Sequence, residues 1–504
     1  MIHCRLLPLL ALIFFVATVS TAKSTTVTNT HDSGAGSLRD AIAITNTGGT
    51  VDFALKNCPC TIVLTSGVLV IDRALSVVGP GAAQLTISGN DGSSVFDARA
   101  AALVTIENIR VSHGNPSGIL CHALILRNSV VSDNFRGIHG GSDCTIIDST
   151  ISHNVLPEIY DVGAGIAMVG GTLTIIRSTI SENYAEGAGG GILLFVGATA
   201  NITDSTIEGN CCDGMSVQLS TATVTNSTFS GNTTFTGAGV ISNIAQLDLK
   251  GNKWPSTVTL INSTVTDTRS LGKIANEVGS VINLDDGVVP ATFIMRNSIV
   301  AGGFPGIPDV YHYGKSGGIR SGGYNLIGNV GKLRVFNETG DQTGTPATPL
   351  DPRLEPLASN GGTTRTHELK LDSPAVDRGK AFGIAADQRG SVRPNDNPDL
   401  PNALEGDGSD IGAFEVQFPV AGAVAITGRV TYAGMIARSR GFVTLTDSSQ
   451  NVRFAYINPS GYYRFTDVPR GRSFTVGLRA KRWEVEPQII FIVESLTGFD
   501  LVAY

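Results

Sequence analysis

The chain has 504 residues, too many for one ordinary globular core, so two to four domains or a repeat array are expected. Sixty glycines, 6% aromatic and 16% charged residues are poor material for a helix bundle, while 42% hydrophobic residues leave ample surface to bury. The net charge of −7 splits into +4 from Ala421 onward and −11 before it, and an acidic body excludes nucleic acid, whose phosphates need clustered Lys and Arg.

At the start, Arg5 precedes an apolar run from Leu6 to Val19, and small residues end at Ala22. This predicts a secretory signal peptide over 1–22, since the run is shorter than the roughly 20 residues that span a bilayer. The mature chain is therefore expected to be secreted or held at the cell surface, and not to span the membrane. Its six cysteines, Cys58, Cys60, Cys121, Cys144, Cys211 and Cys212, suit disulfides in an oxidising compartment, with connectivity open. Ser37 to Ile42 reads as a capping box opening a short amphipathic helix that plugs the first coil of a solenoid.

A phrase then recurs: Asn128-Ser129-Val130-Val131-Ser132-Asp133-Asn134, and again around Ile151, Ile180, Ile207 and Phe229, with a looser copy at Val265 and weaker ones near Val111 and Val300. The anchors lie 20 to 36 residues apart. Apolar residues alternate with Ser and Thr expected to face outward, as in a strand with one buried face. One such strand cannot bury that face alone, so the coils must stack and the anchors form an internal ladder. Asn134, Asn154, Asn183, Asn210 and Asn232 each follow an anchor by three residues. They are expected to take the left-handed backbone of a tight bend and to hydrogen-bond along the stack. Variable spacing disfavours a propeller, and long insertions such as Thr266 to Val281 would project from one side. The fold class is all-β: a right-handed parallel β-helix solenoid followed by a small C-terminal β-sandwich.

The stretch Thr26 to Ile42, with Asn29-Thr30-His31-Asp32-Ser33-Gly34, resembles the start of bacterial secreted β-helix proteins of pectate-lyase-like architecture. Gly323-Tyr324-Asn325-Leu326-Ile327-Gly328, Asn360-Gly361-Gly362-Thr363-Thr364-Arg365, Asp372-Ser373-Pro374-Ala375-Val376-Asp377, Asp387-Gln388-Arg389-Gly390 and Asp410-Ile411-Gly412-Ala413-Phe414-Glu415 together resemble the choice-of-anchor Q domain. That resemblance implies a surface protein, although no LPxTG-like motif or terminal hydrophobic helix is seen and the anchoring mode stays open. Ile426-Thr427-Gly428, Asn458-Pro459-Ser460-Gly461-Tyr462 and Asp467-Val468-Pro469-Arg470-Gly471 resemble a carboxypeptidase-regulatory-like module, which implies an accessory sandwich without peptidase chemistry. The expected division is thus 1–22 signal peptide, 23–320 β-helix with its N-terminal cap, 321–418 a region closing the helix, and 423–504 the sandwich.

Polysaccharide lyases need acidic Ca²⁺ ligands and a basic group, and hydrolases need paired carboxylates. Asp148, Arg177 and Asp204 occupy equivalent places on three copies and are the weak catalytic candidates; Asn128, Asn226 and Asn262 share their column, which favours a solvated ladder. Asp285-Asp286 looks like a loop pair, and His113, His122, His139 and His153 show no partner at readable spacing. Trp483 and Tyr462 offer rings for sugar stacking but more simply serve the core. No cofactor or metal is expected, Ca²⁺ belonging only to the lyase alternative. The sequence therefore points to a non-catalytic surface protein that binds a polysaccharide, matrix or envelope surface, with a polysaccharide lyase or glycoside hydrolase as the rival.

Overall fold

The computed structural model describes residues 23–158, 162–234, 239–247, 250–270, 279–304, 306–418, 423–432, 435–436, 441–447, 450–480 and 483–504. The expected signal peptide and much of the Thr266–Val281 insertion lie outside them. Three long parallel sheets run from Ser24 to Thr343, making a right-handed parallel β-helix. Each coil visits face A, then B, then C: Leu124–Arg127, Val130–Ser132 and Arg136–Gly140 are followed by Cys144–Ile147, back on face A one coil on. On face B the inward positions Val111, Val131, Ile151, Ile180, Ile207, Phe229, Val265 and Val300 pair in register and are fully buried. Each such side chain contributes roughly 1.5–3 kcal/mol by leaving water.

The corners of the coil must satisfy backbone groups at every level, and two side-chain ladders do so. Asn134, Asn154, Asn183, Asn210 and Asn232 are buried. Asn134, Asn154, Asn183 and Asn210 each donate Nδ2 to the next amide's Oδ1 at 2.8–2.9 Å, and each donates its backbone N–H to the same oxygen at 3.0–3.2 Å. These asparagines do not take the left-handed bend. The residue before each one does, namely Asp133, His153, Glu182, Gly209 and Gly231. That exchange turns the amide inward, where it accepts along the axis. The second ladder was not foreseen. Ser129, Ser149, Ser178, Ser205, Ser227 and Ser263 are buried rather than outward, and the N–H of each donates to the hydroxyl of the next coil's serine at 3.1–3.3 Å.

Both open ends are covered. Helix α1, Leu38–Ile44, starts at Ser37, whose hydroxyl accepts from Asp40 N–H, and it buries Leu38, Ala41 and Ile42 in the solenoid core. The Arg73 guanidinium donates to the carbonyls of Ile42, Ala43 and Thr45, meeting the unpaired C-terminal groups of α1. At the far end Val330 and Phe336 enter the same core, with Leu333 and Val335 packed against it.

Gln342–Thr343 is the last strand of face B. Residues 350–418 return along the outside of face B with only isolated bridges between their segments. Outward Ile299, Ala301 and Leu326 pack with Leu369, Ala375, Val376, Ile411 and Phe414 in a core of their own. The fully buried Gln388 amide accepts from Thr228 Oγ1 at 2.6 Å and donates to Thr206 Oγ1 and Thr364 Oγ1 at 3.0 and 2.9 Å. Thr206 and Thr228, expected to face water, are therefore buried. The described residues of 423–504 form two sheets, one antiparallel and one mixed, around a separate core, in which Tyr463 and Phe465 are buried and Trp483 is half-buried.

Loops between faces B and C bury part of face C as well, and one of them carries Asp213. Its carboxyl is enclosed and pushed up to about 8 by burial, partly offset by hydrogen bonds to Gly189 and Ser242. Burial likewise lifts Asp309 to about 6 and Asp377 to about 7. For a carboxyl raised from 3.8, the stability of the protonated native form is whole below about pH 4 and is lost as pH rises through the folded value. The melting temperature is thus expected to fall from about pH 4 to about pH 8 and to level off above that, with Asp213→Asn flattening the upper part of the fall; an unchanged slope refutes the assignment. Asn183→Ala is expected to cost about 3 kcal/mol in chemical denaturation, because it strands two buried donors of Asn154.

Candidate functional site

The corner between faces A and B holds one left-handed residue per coil. The column runs Asn108, Asn128, Asp148, Arg177, Asp204, Asn226, Asn262 and Asn297, with φ between 45 and 59°. This backbone favours Asn and Asp, whose short polar side chains tolerate it, and it thrusts the side chain outward. The candidates Asp148, Arg177 and Asp204 are consecutive members, stacked by the register of Ile147, Ile176 and Thr203 before them.

The column divides by what covers it. Asn226, Asn262 and Asn297 donate to Ala386, Ala381 and Asp410 carbonyls of the returning layer at 2.9, 3.3 and 2.8 Å. Asp204 stands at the edge of that layer, with Thr364 Oγ1 donating to its carbonyl at 3.0 Å and Asn226 Nδ2 to its Oδ1 at 3.3 Å. Burial raises its carboxyl above the usual range; Asn226 and Arg177 oppose the rise and Asp387 adds to it. Asp148 and Arg177 lie beyond the layer. Arg177 forks onto Asp148 through Nε and Nη2, both at 2.8 Å, and that pairing raises the already strong base further. Arg177 is thus committed to one carboxylate rather than shared between two.

The opposite border of the same strip, between faces B and C, carries His113, Asp133, His153 and Glu182 in left-handed backbone. His153 Nε2 pairs with Glu182, Arg110 lies 3.5 Å from Asp133, and His113 Nδ1 meets Ser112 Oγ at 3.1 Å. Between the borders lie the outward residues of four strands, including Arg110, Val130, Thr150 and Thr179. The first and fourth are about 14 Å apart at the usual strand spacing. The returning layer ends this open strip at Arg365, which pairs with Glu208. Sequence reasoning placed the first border but missed the second, because its mix of His, Asp, Glu and Gly shares a backbone conformation and no chemistry.

The remaining candidates are held elsewhere. Burial alone would raise Asp285, but N–H groups of Lys315, Ser316 and Gly287 and the Ser316 hydroxyl outweigh it and lower the carboxyl. Asp286 is lowered by N–H groups of Val289 and Val288. Both therefore organise turns. His122 and His139 line a 210 Å³ pocket on face C with Arg99, which forks onto Asp97. Asp309 borders a 320 Å³ cavity, its oxygens occupied by the N–H groups of Gly303 and Asn329. Glu415 and Arg393 pair at 2.9 Å in full burial inside the returning layer. Among the described residues no three His, Cys, Asp or Glu side chains group to hold a metal ion, and no helix is long and apolar enough to cross a membrane. Tyr462 is exposed, and Trp483 packs against the sandwich core with its ring 4.0 Å from that of Tyr432.

No curated protein matches the chain. Among solved structures it is similar to an alginate lyase from Paenibacillus sp. str. FPU-7, at 14% identity and a TM-score of 0.38, over 60% of this chain and 98% of that one, a likeness too slight to bear on activity. Residues 138–285 match the family model described as right handed beta helix region, in agreement with the three parallel sheets.

Proposed function

We propose that the protein is an exported, non-catalytic surface protein that binds an extended polysaccharide, or a matrix or envelope surface, along the open strip of face B. The observation that carries this reading is the pairing of the strip's charges. Asp148 with Arg177 and Arg110 with Asp133 balance one another within hydroxyl-rich rows, and His153 contacts Glu182 beside them. Such a surface offers many weak hydrogen bonds to sugar hydroxyls and holds no unpaired base next to an unpaired acid. The apolar run Leu6 to Val19 supports export. In this reading 321–418 acts as a choice-of-anchor Q-like region, and 423–504 as an accessory carboxypeptidase-regulatory-like module.

One feature favours the rival lyase or hydrolase: the raised, half-buried Asp204 carboxyl near Arg177 is a plausible proton donor in chemical terms. The deciding experiment incubates purified protein with plant, bacterial and animal polysaccharides, with and without Ca²⁺, and measures both retention and new reducing ends. Retention without new ends is expected, with Arg177→Ala weakening it about tenfold, the equivalent of about 1.4 kcal/mol. New reducing ends that disappear in Asp204→Asn would replace binding by catalysis, and the absence of both retention and new ends would sink both.

A further inference from the structure

Cys121 ends the face C strand Ser117–Cys121, and Cys144 begins the face A strand Cys144–Ile147 one coil on, so both sit at the corner between faces C and A. Both are almost wholly buried, and their sulfurs are 3.5 Å apart. Gly140 makes this approach possible. A Cβ there would lie 2.6 Å from Cys144 Sγ and 2.6 Å from Met168 Sδ, so any larger residue would drive the sulfur from its place. The pocket lined by Arg99, His122 and His139 reaches Cys121 and Gly140 from outside.

We propose that Cys121 and Cys144 form a disulfide that ties two successive coils together. Two S–H bonds are exchanged for one S–S bond: the two thiols give up two protons and two electrons. A disulfide of the glutathione class takes them up and leaves as two thiols. The sulfurs need only close from 3.5 Å to about 2.05 Å. The hydrogen bond to Cys144, and then burial, hold the Cys121 thiol well above its usual range, so in the folded protein it is a poor nucleophile. The bond therefore forms as the coils stack, and afterwards resists external reductant. Its position has a structural use. The returning layer braces face B only from Thr206 onward, and these two coils precede it. A link across 23 residues removes freedom from the unfolded chain in the part of the solenoid with least outside support.

The inference rests on the proposed export only for its oxidant, and a refolding experiment supplies that oxidant directly. The full chain is unfolded, reduced, and refolded in a buffer of reduced and oxidised glutathione, then digested without reduction and mapped by mass spectrometry. A peptide pair joined through Cys121 and Cys144 is expected, opening in dithiothreitol only when denaturant is added. Cys121→Ser should leave Cys144 open to alkylation after unfolding, and should lower the melting temperature by about 5 °C to that of the reduced wild type. Should the variant fail to fold, the map of the wild type decides alone. Refolded protein with native circular dichroism in which both cysteines alkylate, or in which either is joined to Cys211 or Cys212, overturns the proposal. A bond that forms in the vessel but is absent from protein taken from cells would instead overturn the export reading.

Discussion

The structure depends on one constraint: a parallel strand of three to six residues cannot bury its inner face or satisfy its edges alone, so every coil must repeat the register of the last. On face B the register holds from Ile87 through Val111, Val131 and Ile151 to Val300 without a slip. A one-residue shift would turn every anchor to the outside. The ladders belong to the same constraint. Where the chain leaves one face for the next, its N–H groups point along the axis and must find acceptors in the neighbouring coil. Asparagine amides provide them at one corner and serine hydroxyls at another. The asparagine ladder spans the five coils from Asn134 to Asn232 and the serine ladder the seven from Ser129 to Ser298, so over those coils the polar corners reinforce the register set by the apolar core.

The column that attracted attention as a catalytic row has the same origin. A left-handed residue is needed once per coil at the corner between faces A and B, and Asn or Asp meets that need at least strain. Arg177 has no such preference, and its place is explained by what it touches: it forks onto Asp148 and lies near Asp204. Without it, two carboxylates two coils apart would face the same side uncompensated. The bland explanation of the column therefore accounts for its composition, and only the raised Asp204 carboxyl remains outside it.

Much of this was legible because it is periodic. The anchors Val131 to Phe229 and the asparagines three residues after them announce themselves by recurrence, and recurrence in sequence becomes adjacency in a solenoid. The serine ladder recurs just as plainly, at Ser129, Ser149 and Ser178, but a serine beside a β-branched strand residue looks like ordinary solvent-facing sequence. Only the backbone turn tells that its hydroxyl points inward. The returning layer was illegible for a different reason. Gln388 reaches Thr228 across 160 residues, and the layer's other contacts run largely through main-chain carbonyls such as those of Arg365 and Ala386. A carbonyl is the same whatever the residue, so nothing in the sequence marks where it will dock.

That layer also bears on the proposed ligand of face B. On the covered coils, an extended chain lies over the outward residues; Thr206 donates to a main-chain carbonyl and the column asparagines donate to others. On the uncovered coils the equivalent positions are Thr150 and Thr179, in register with Thr206 and still open. The face thus holds an extended segment of its own chain through carbonyl acceptors over one half, and equivalent hydroxyls stay open over the other. A polysaccharide presents the same features, a repeating chain with oxygen acceptors at short intervals. The paired charges Asp148–Arg177 and Arg110–Asp133 border the open half without adding net charge. A partner recognised in this way would be held by many weak contacts spread along several coils, so the rigidity of the stack, more than any single side chain, would set its affinity.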